Sequence, residues 1–179
     1  RLKEIPFNEA VEQLLFLGAQ RMEEMTLSIS TENPDKLYRG IEKANIFPLS
    51  DYNTISFAKK LLPFDILSAA VMTTALQKYG QNERSLFAFL ESPDPLGIRE
   101  FKAVKAPYYN LSCVYDYLIF NFYSYLNTSN NPDKPHWFAM RSAVERCEGL
   151  MENKALDGIK LVKTIGLLNL FGSTSGKLN

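Results

Sequence analysis

Histidine and cysteine are scarce in this sequence: 179 residues include only His136, Cys113 and Cys147. A structural zinc site needs several closely spaced Cys or His ligands, so these three residues exclude one. Any serine or cysteine nucleophile would depend on His136 as its histidine base, and we interpret that residue as a solvated loop side chain at a helix start. The cysteines lie within apolar helical patterns, which predicts reduced core thiols in a cytoplasmic protein.

An excess of charge is also missing, because Lys and Arg total 20 and Asp and Glu total 20. Nucleic-acid binding usually requires a basic excess or a basic stripe, so we do not expect it through this segment. No apolar run reaches the roughly 18 residues of a membrane-spanning helix. The closest run, 111–126, contains Asp116 and four tyrosines. We therefore expect no contact with a membrane.

The two ends of the sequence carry no targeting signal. The start, Arg1 to Glu4, is charged, has no initiator methionine and precedes no apolar signal-peptide core. The end, from Gly172 to Asn179, is polar and rich in turn-forming residues. We interpret both ends as boundaries of a segment cut from a longer polypeptide.

The rest of the composition is that of a globular protein, with 46% hydrophobic and 22% charged residues. Apolar residues recur at helical spacing, and no segment shows convincing strand alternation. We expect an all-α fold, an irregular multi-helix bundle of about seven or eight helices. The predicted helices are 8–25, 35–43, 53–62, one that begins at Pro63 or Asp65 and runs to 79, 82–91, 111–127, 137–151 and 153–171. The proline-containing loop 128–135 is the best internal boundary, dividing a helical subdomain, 1–127, from a C-terminal helical pair, 136–172.

Aromatic residues concentrate in the predicted helix 111–127, which is apolar nearly all round and is therefore expected to be central. Aromatic side chains interleaved with basic ones could stack single-stranded bases. No basic residue occurs between Lys105 and Lys134, so packing in the core is the better interpretation. The glycines at 172 and 176, followed by Lys177, resemble a phosphate loop only superficially. Their spacing is one residue short, and they follow a helix instead of a strand.

The most informative stretch runs from Tyr79 to Ser92. It begins a helix at Asn82, places Glu83 and Arg84 in the first turn, and has an apolar second turn that ends at Leu90. With 62–65 upstream and 95–98 downstream, it resembles a signature of large bacterial P-loop ATPases related to AAA+ and STAND proteins. Many members of that group occur in mobile or anti-phage defence loci. The run 161–172 resembles a second signature of the same group.

In that family a helical domain follows the nucleotide-binding core and acts as a lid or as a relay to winged-helix or effector modules. The resemblance implies that this chain is the helical part, has no complete active site and holds no cofactor of its own. ATP and Mg²⁺ would be bound by the parent protein before residue 1, and the partners would be neighbouring domains. The family's usual basic or histidine-containing segment is replaced here by Pro63-Phe64-Asp65.

Arg84 is the candidate nucleotide-binding residue that the resemblance implies, because a guanidinium group on a lid can stabilise charge on the transferring phosphoryl group. A structural salt bridge and a contact between domains or subunits are the alternatives for Arg84. The alternative function is a helical protein–protein interaction module unrelated to nucleotide, with Trp137, Phe138 and the tyrosine-rich helix as its docking surface. A standalone enzyme is disfavoured, since the sequence has no nucleophile–base or metal constellation.

Overall fold

A computed structural model describes residues 11–27, 33–44, 55–80, 86–103, 106–150 and 155–172. Over these ranges the chain is all-α, as predicted, and contains nine α-helices, one 3-10 turn and no strand. The α-helices are α1 (Val11–Glu23), α2 (Asp35–Ala44), α3 (Ile55–Lys60), α4 (Ile66–Tyr79), α5 (Leu86–Glu91), α6 (Leu111–Asn121), α7 (Tyr123–Leu126), α8 (Lys134–Leu150) and α9 (Ala155–Gly172). The 3-10 turn is Ile98–Glu100. The predicted helix starts at 8, 53, 82 and 153 lie outside the described residues.

The central element is α4, which packs against α1, α6 and α9. Asp65 caps its start, since the carboxylate accepts the Ser68 backbone N–H at 2.8 Å, which satisfies one of the unpaired donors of the first turn. Eleven of its 14 residues are buried, many of them small. Thr73, a polar residue in this helix, donates its hydroxyl to the Ala69 carbonyl at 2.8 Å. Helix α4 is therefore buried on nearly every side instead of along the single stripe that its spacing predicts.

The predicted helix 111–127 is divided in the structure at Phe122, where φ is −116° and ψ is 14°. Asn121 donates its side-chain amide to the Pro95 carbonyl at 3.0 Å and to the Tyr117 carbonyl at 3.1 Å. The break leaves the Phe122 ring buried, whereas Phe120 and Tyr123 are 60% and 50% exposed. Core packing is thus confirmed for most of this aromatic cluster and is wrong for Phe120 and Tyr123.

Helices α8 and α9 pack against each other, and α9 also packs on α4 and α6. The C-terminal third of α9 is buried at Leu167, Leu170 and Phe171, whereas Leu156, Leu161 and Ile165 are more than half exposed. Helical spacing alone does not distinguish these two parts of α9. The division of the chain at loop 128–135 stays a prediction. Asn131 and Asp133 of that loop are buried.

Helix α8 begins three residues earlier than predicted, at Lys134. His136 therefore lies in its first turn and not in the preceding loop, although its side chain is exposed as expected. Pro135 is compatible with this early start, because a proline in the first turn lacks only an N–H that would have no partner within the helix.

Residues 94–97 form a tight turn in which the Asp94 carbonyl accepts the Gly97 N–H at 2.9 Å. Its third residue, Leu96, has φ of +63°, the conformation that a type II turn requires and that glycine normally adopts. Two tyrosines hold the turn: Tyr109 donates its hydroxyl to the Leu96 carbonyl at 2.7 Å, and Tyr117 donates to the Asp94 carboxylate at 2.9 Å. The turn is therefore held in place by residues on and just before α6.

Replacing Leu96 by glycine should raise the free energy of unfolding by about 1 kcal/mol, because glycine adopts a positive φ without the steric cost that leucine incurs. The measurement is urea denaturation followed by far-UV circular dichroism. The matched control is Gly97→Ala, whose added Cβ would lie 2.8 Å from the Asp94 backbone oxygen and should lower stability. A loss of stability in Leu96→Gly would show that the leucine side chain contributes more than the backbone strain costs.

Candidate functional site

Arg84, the residue singled out by the sequence, lies outside the described residues, as do Asn82 and Glu83. The second half of the same motif forms α5. Its apolar residues Leu86 and Leu90 are buried in the core together with Phe89. The described part of the motif thus serves packing. Burial of the predicted apolar stripe is confirmed at Leu86 and Leu90, whereas Phe87 is only partly buried.

Helix α5 is held to α1 on one side and to the 3-10 turn on the other. Arg21 donates its Nε and Nη2 to Glu91 Oε1 at 3.1 and 2.9 Å. Arg99 donates its Nε to the Leu90 carbonyl at 3.0 Å. Helices α1 and α5 also approach closely, since a Cβ on Gly18 would lie 2.8 Å from Leu86 Cδ2. The helix that follows Arg84 in sequence is therefore firmly attached to its neighbours.

A buried polar cluster joins α4 to α8. The Tyr79 hydroxyl donates to Asp133 Oδ2 at 2.6 Å and accepts the Trp137 indole N–H at 3.2 Å. Lys78 Nζ lies 2.6 Å from the same carboxylate oxygen. We call Lys78, Tyr79, Asp133 and Trp137 the α4–α8 cluster. The hydrogen bonds within the cluster satisfy the polar atoms of Tyr79 and Asp133, which explains how both side chains can be buried.

The cluster shifts the pKa values of its two acidic side chains, Tyr79 and Asp133. Burial raises the pKa of Tyr79, and the hydrogen bond to the Asp133 carboxylate raises it further. Burial also raises the pKa of Asp133, but the hydrogen bonds from Lys78 and Tyr79 outweigh that effect and hold it below its ordinary value of 3.8. At neutral pH the cluster thus contains a neutral phenol beside an ionised carboxylate that is paired with an ammonium group.

The α4–α8 cluster corrects part of the predicted docking surface. Trp137 is only 2% exposed, and its N–H is bonded within the cluster, so it is not available to a partner. Phe138, the next residue, is 71% exposed. Successive residues on a helix point in different directions, about 100° apart, so burial of one leaves the other facing outward.

Phe138 and the tyrosine-rich helix were part of the predicted docking surface, but the sequence missed Arg141, which meets Tyr123 between α8 and α7. The Arg141 guanidinium carbon lies 5.4 Å from the centroid of the Tyr123 ring, within cation–π distance. Arg141 Nη1 is also 3.5 Å from the Tyr123 hydroxyl. Phe138 is one helical turn before Arg141 and so shares its face of α8. We call Tyr123, Phe138 and Arg141 the aromatic–arginine patch.

The described ranges contain no group of three His, Cys, Asp or Glu side chains that could hold a metal ion. A pocket between α2 and the start of α4 encloses about 10 Å³, enough for about one water molecule and far below the roughly 300 Å³ of small ligand sites. Its carboxylate, Asp65, already accepts hydrogen bonds from the Ser68 backbone and hydroxyl.

Comparison with known proteins supplies no relative for this chain. No protein-family model, no curated protein and no solved structure matches it. The kinship with P-loop ATPases therefore remains a prediction based on the two resembling stretches. Among the helices that the structure describes, none combines the length and the apolar character needed to cross a bilayer.

Replacing Tyr79 by phenylalanine should lower the free energy of unfolding by about 1–3 kcal/mol. The change removes only the hydroxyl, and it leaves the Trp137 N–H buried without its acceptor. Chemical denaturation monitored by the fluorescence of Trp137, the single tryptophan of the chain, measures the loss. The control is Tyr123→Phe, which removes the hydroxyl of a half-exposed tyrosine and should change stability by no more than about 0.5 kcal/mol. Equal effects of the two changes would contradict a structural role for the α4–α8 cluster.

Asp133→Asn should destabilise the protein most at neutral pH. The folded-state pKa of Asp133 lies below 3.8, so its ionised form adds stability that is fully present above that value. This contribution is lost as the pH falls through the folded-state pKa, and the gap between wild type and Asp133→Asn should narrow there. Urea denaturation from pH 7 down to about pH 2 measures it. Asp157→Asn, at an exposed position, controls for the loss of one charge; a gap that widens on acidification would refute the assignment.

Proposed function

We propose that this chain is a helical lid or relay domain of a cytoplasmic bacterial P-loop ATPase. It couples the nucleotide state of the parent protein to neighbouring domains and carries out no catalysis of its own. The nucleotide and Mg²⁺ are bound outside this chain. Two stretches that resemble signatures of that ATPase group support the assignment; the described part of the first includes α5, and the second lies within α9.

The observation that carries the proposal is the attachment of α5 to the rest of the bundle. A relay has to transmit a displacement, so its moving part must be rigidly connected to the rest of the domain. Glu91 at the end of α5 is bound by Arg21 of α1, and the Leu90 carbonyl is bound by Arg99. A displacement of α5 would therefore be passed to α1 and to the 3-10 turn.

The interior of the bundle is a packed core. Buried residues in the described ranges are mainly hydrophobic, and the buried polar residues Thr73 and Asp133 are hydrogen-bonded to their neighbours. A close-packed interior of this kind supports the rigid connection that a relay needs.

A second candidate function is a helical interaction module unrelated to nucleotide. The observation that favours it is the exposure of Phe138, at 71%, beside the Arg141 side chain that lies over Tyr123. Arg and aromatic residues are the types that most often dominate the binding energy of protein interfaces. Like the first candidate, this function involves no catalysis. Unlike the first, it requires no phosphate loop in the parent protein.

Arg84→Ala in the full-length parent protein should lower the turnover number for ATP hydrolysis by roughly 10³-fold, the lower range for an arginine that stabilises the transferring phosphoryl group. The control is Arg39→Ala, the same change at an exposed position of α2. Both variants should retain the wild-type circular dichroism spectrum. ATP hydrolysis should be measured in the presence of Mg²⁺. Unchanged turnover in Arg84→Ala would assign Arg84 a structural role, and absence of hydrolysis in the wild type would favour the interaction module.

A further inference from the structure

The turn at 94–97 has the sequence of one turn type and the backbone of another. Asp at its first position and Gly at its fourth are the residues that a type I turn prefers, and Pro at the second suits both types. A type II turn instead requires a positive φ at the third position, which favours glycine or asparagine there. Leu96 occupies that position with φ of +63°. Conflicts between local sequence and backbone are expected at strained or functional sites.

The two turn types differ in the orientation of the peptide between Pro95 and Leu96. Rotating that peptide by roughly 180° converts one type into the other. The hydrogen bond from the Gly97 N–H to the Asp94 carbonyl, which the structure shows at 2.9 Å, is compatible with both types. A type I turn would place Leu96 at a φ of about −90°, which leucine adopts without strain. The observed orientation must therefore be held by contacts from outside the turn.

Both polar atoms of this peptide are bonded to side chains. Asn121, the last residue of α6, donates its amide to the Pro95 carbonyl at 3.0 Å. Glu100, in the 3-10 turn, accepts the Leu96 N–H at 3.2 Å. We call these two hydrogen bonds the peptide clamp. Because rotation exchanges the places of the carbonyl and the N–H, neither bond of the clamp can persist in a type I turn.

The two tyrosines that hold the turn do not fix the orientation of this peptide. Tyr109 bonds to the Leu96 carbonyl, which belongs to the following peptide, and Tyr117 bonds to the Asp94 side chain. Neither contact uses an atom of the rotating peptide. The turn can therefore change type while it stays attached to these residues.

The clamp and the backbone strain are of similar size. A leucine in the left-handed region costs a factor of roughly 5–30 in the equilibrium constant between the two orientations. Each hydrogen bond of the clamp contributes a factor of roughly 2–12 after the competing bonds to water are subtracted. Since neither effect dominates, the loss of one clamp bond is enough to shift the balance toward a type I turn.

We propose that the Pro95–Leu96 peptide is a two-state switch that responds to the position of α5 relative to α6. One side of the clamp lies at the end of α6. The other side lies in the 3-10 turn, which Arg99 attaches to the Leu90 carbonyl of α5. A displacement of α5 against α6 opens the clamp, and the peptide then rotates to the relaxed type I orientation. The inference goes beyond the proposed function, because it requires no nucleotide and holds for either candidate.

The test replaces the donor of the clamp by an acceptor of the same shape. Asn121→Asp removes the bond to the Pro95 carbonyl, and its carboxylate can accept the Leu96 N–H once the peptide has rotated. Nuclear magnetic resonance of the isotope-labelled chain distinguishes the two states. The Overhauser effect between Pro95 Hα and the Leu96 amide proton is strong in a type II turn and weak in a type I turn. It should be strong in the wild type and largely lost in Asn121→Asp.

The stability change caused by Leu96→Gly is an independent measure of the same switch. In the wild-type background glycine relieves the positive φ and should raise the folding equilibrium constant roughly fivefold. In the Asn121→Asp background no positive φ is left to relieve. The same change should then lower that constant, because glycine makes the unfolded chain more flexible. Urea denaturation of the four proteins measures both effects.

The control is Asn127→Asp, the same change at an exposed position of α7. Asn127 donates to the carbonyl four residues earlier, as Asn121 also does, but that carbonyl belongs to Tyr123. The control should leave the Overhauser effect and the Leu96→Gly gain at their wild-type values.

A second variant, Glu100→Ala, opens the other side of the clamp at an exposed residue and should weaken the same Overhauser effect. It keeps the test decisive if Asn121→Asp does not fold. A strong effect between Pro95 and Leu96 in every folded clamp variant would overturn the proposal. A Leu96→Gly gain of equal size with and without the Asn121 amide would overturn it as well. None of these results depends on ATP hydrolysis, so failure here is distinguishable from failure of the lid assignment.

Discussion

The side chain of Tyr79 is the contact on which the arrangement of the second half of this chain depends. Its ring lies 5.9–6.1 Å from the rings of Tyr125, Trp137 and Phe171, which belong to α7, α8 and α9. Its hydroxyl connects Asp133 and Trp137. One residue at the end of α4 therefore contacts three later helices. Such a contact gives specificity as well as stability, because its polar atoms are satisfied in one arrangement only.

The position of Trp137 then determines which part of α8 faces outward. Because its indole is bonded inside the α4–α8 cluster, the rotation of α8 about its axis is fixed. Phe138 is consequently exposed, and Arg141 lies one turn further along the same face, where it meets Tyr123. The buried cluster and the exposed aromatic–arginine patch are therefore two consequences of the same packing. A change that loosened the cluster would also disturb the proposed binding surface.

An ion pair between α9 and α6 also connects the α8–α9 helical pair to the rest of the bundle. Lys163 of α9 donates to Asp116 of α6 at 2.6 Å, and its ammonium group lies 5.4 Å from the Tyr115 ring. The Lys163 side chain is only 13% exposed, so solvent screens the pair less than it screens the surface pairs of α1 and α8. Helices α8 and α9 are thus joined to the rest of the bundle by polar contacts at both α4 and α6, in addition to the apolar contacts of Leu167, Leu170 and Phe171.

The fold class and most helix positions could be predicted from the sequence alone. Helical spacing, the Asp65 cap, the proline and glycine interruptions and the apolar character of α4 and α6 are local properties, and local properties are readable from one chain. Arg84 was identified by resemblance only, and its role stays a prediction.

Only the tertiary structure decided which apolar and aromatic residues are buried. Trp137 and Phe138 are adjacent aromatic residues, yet Trp137 is buried and Phe138 is exposed. The indole N–H of Trp137 bonds to the Tyr79 hydroxyl, and that contact turns the neighbouring side chain of Phe138 toward solvent. Arg141 and Tyr123 are 18 positions apart, so no spacing rule within one helix could bring them together. Sequence determines periodicity along each helix, whereas the choice of face, and with it the candidate binding surface, follows from contacts between helices.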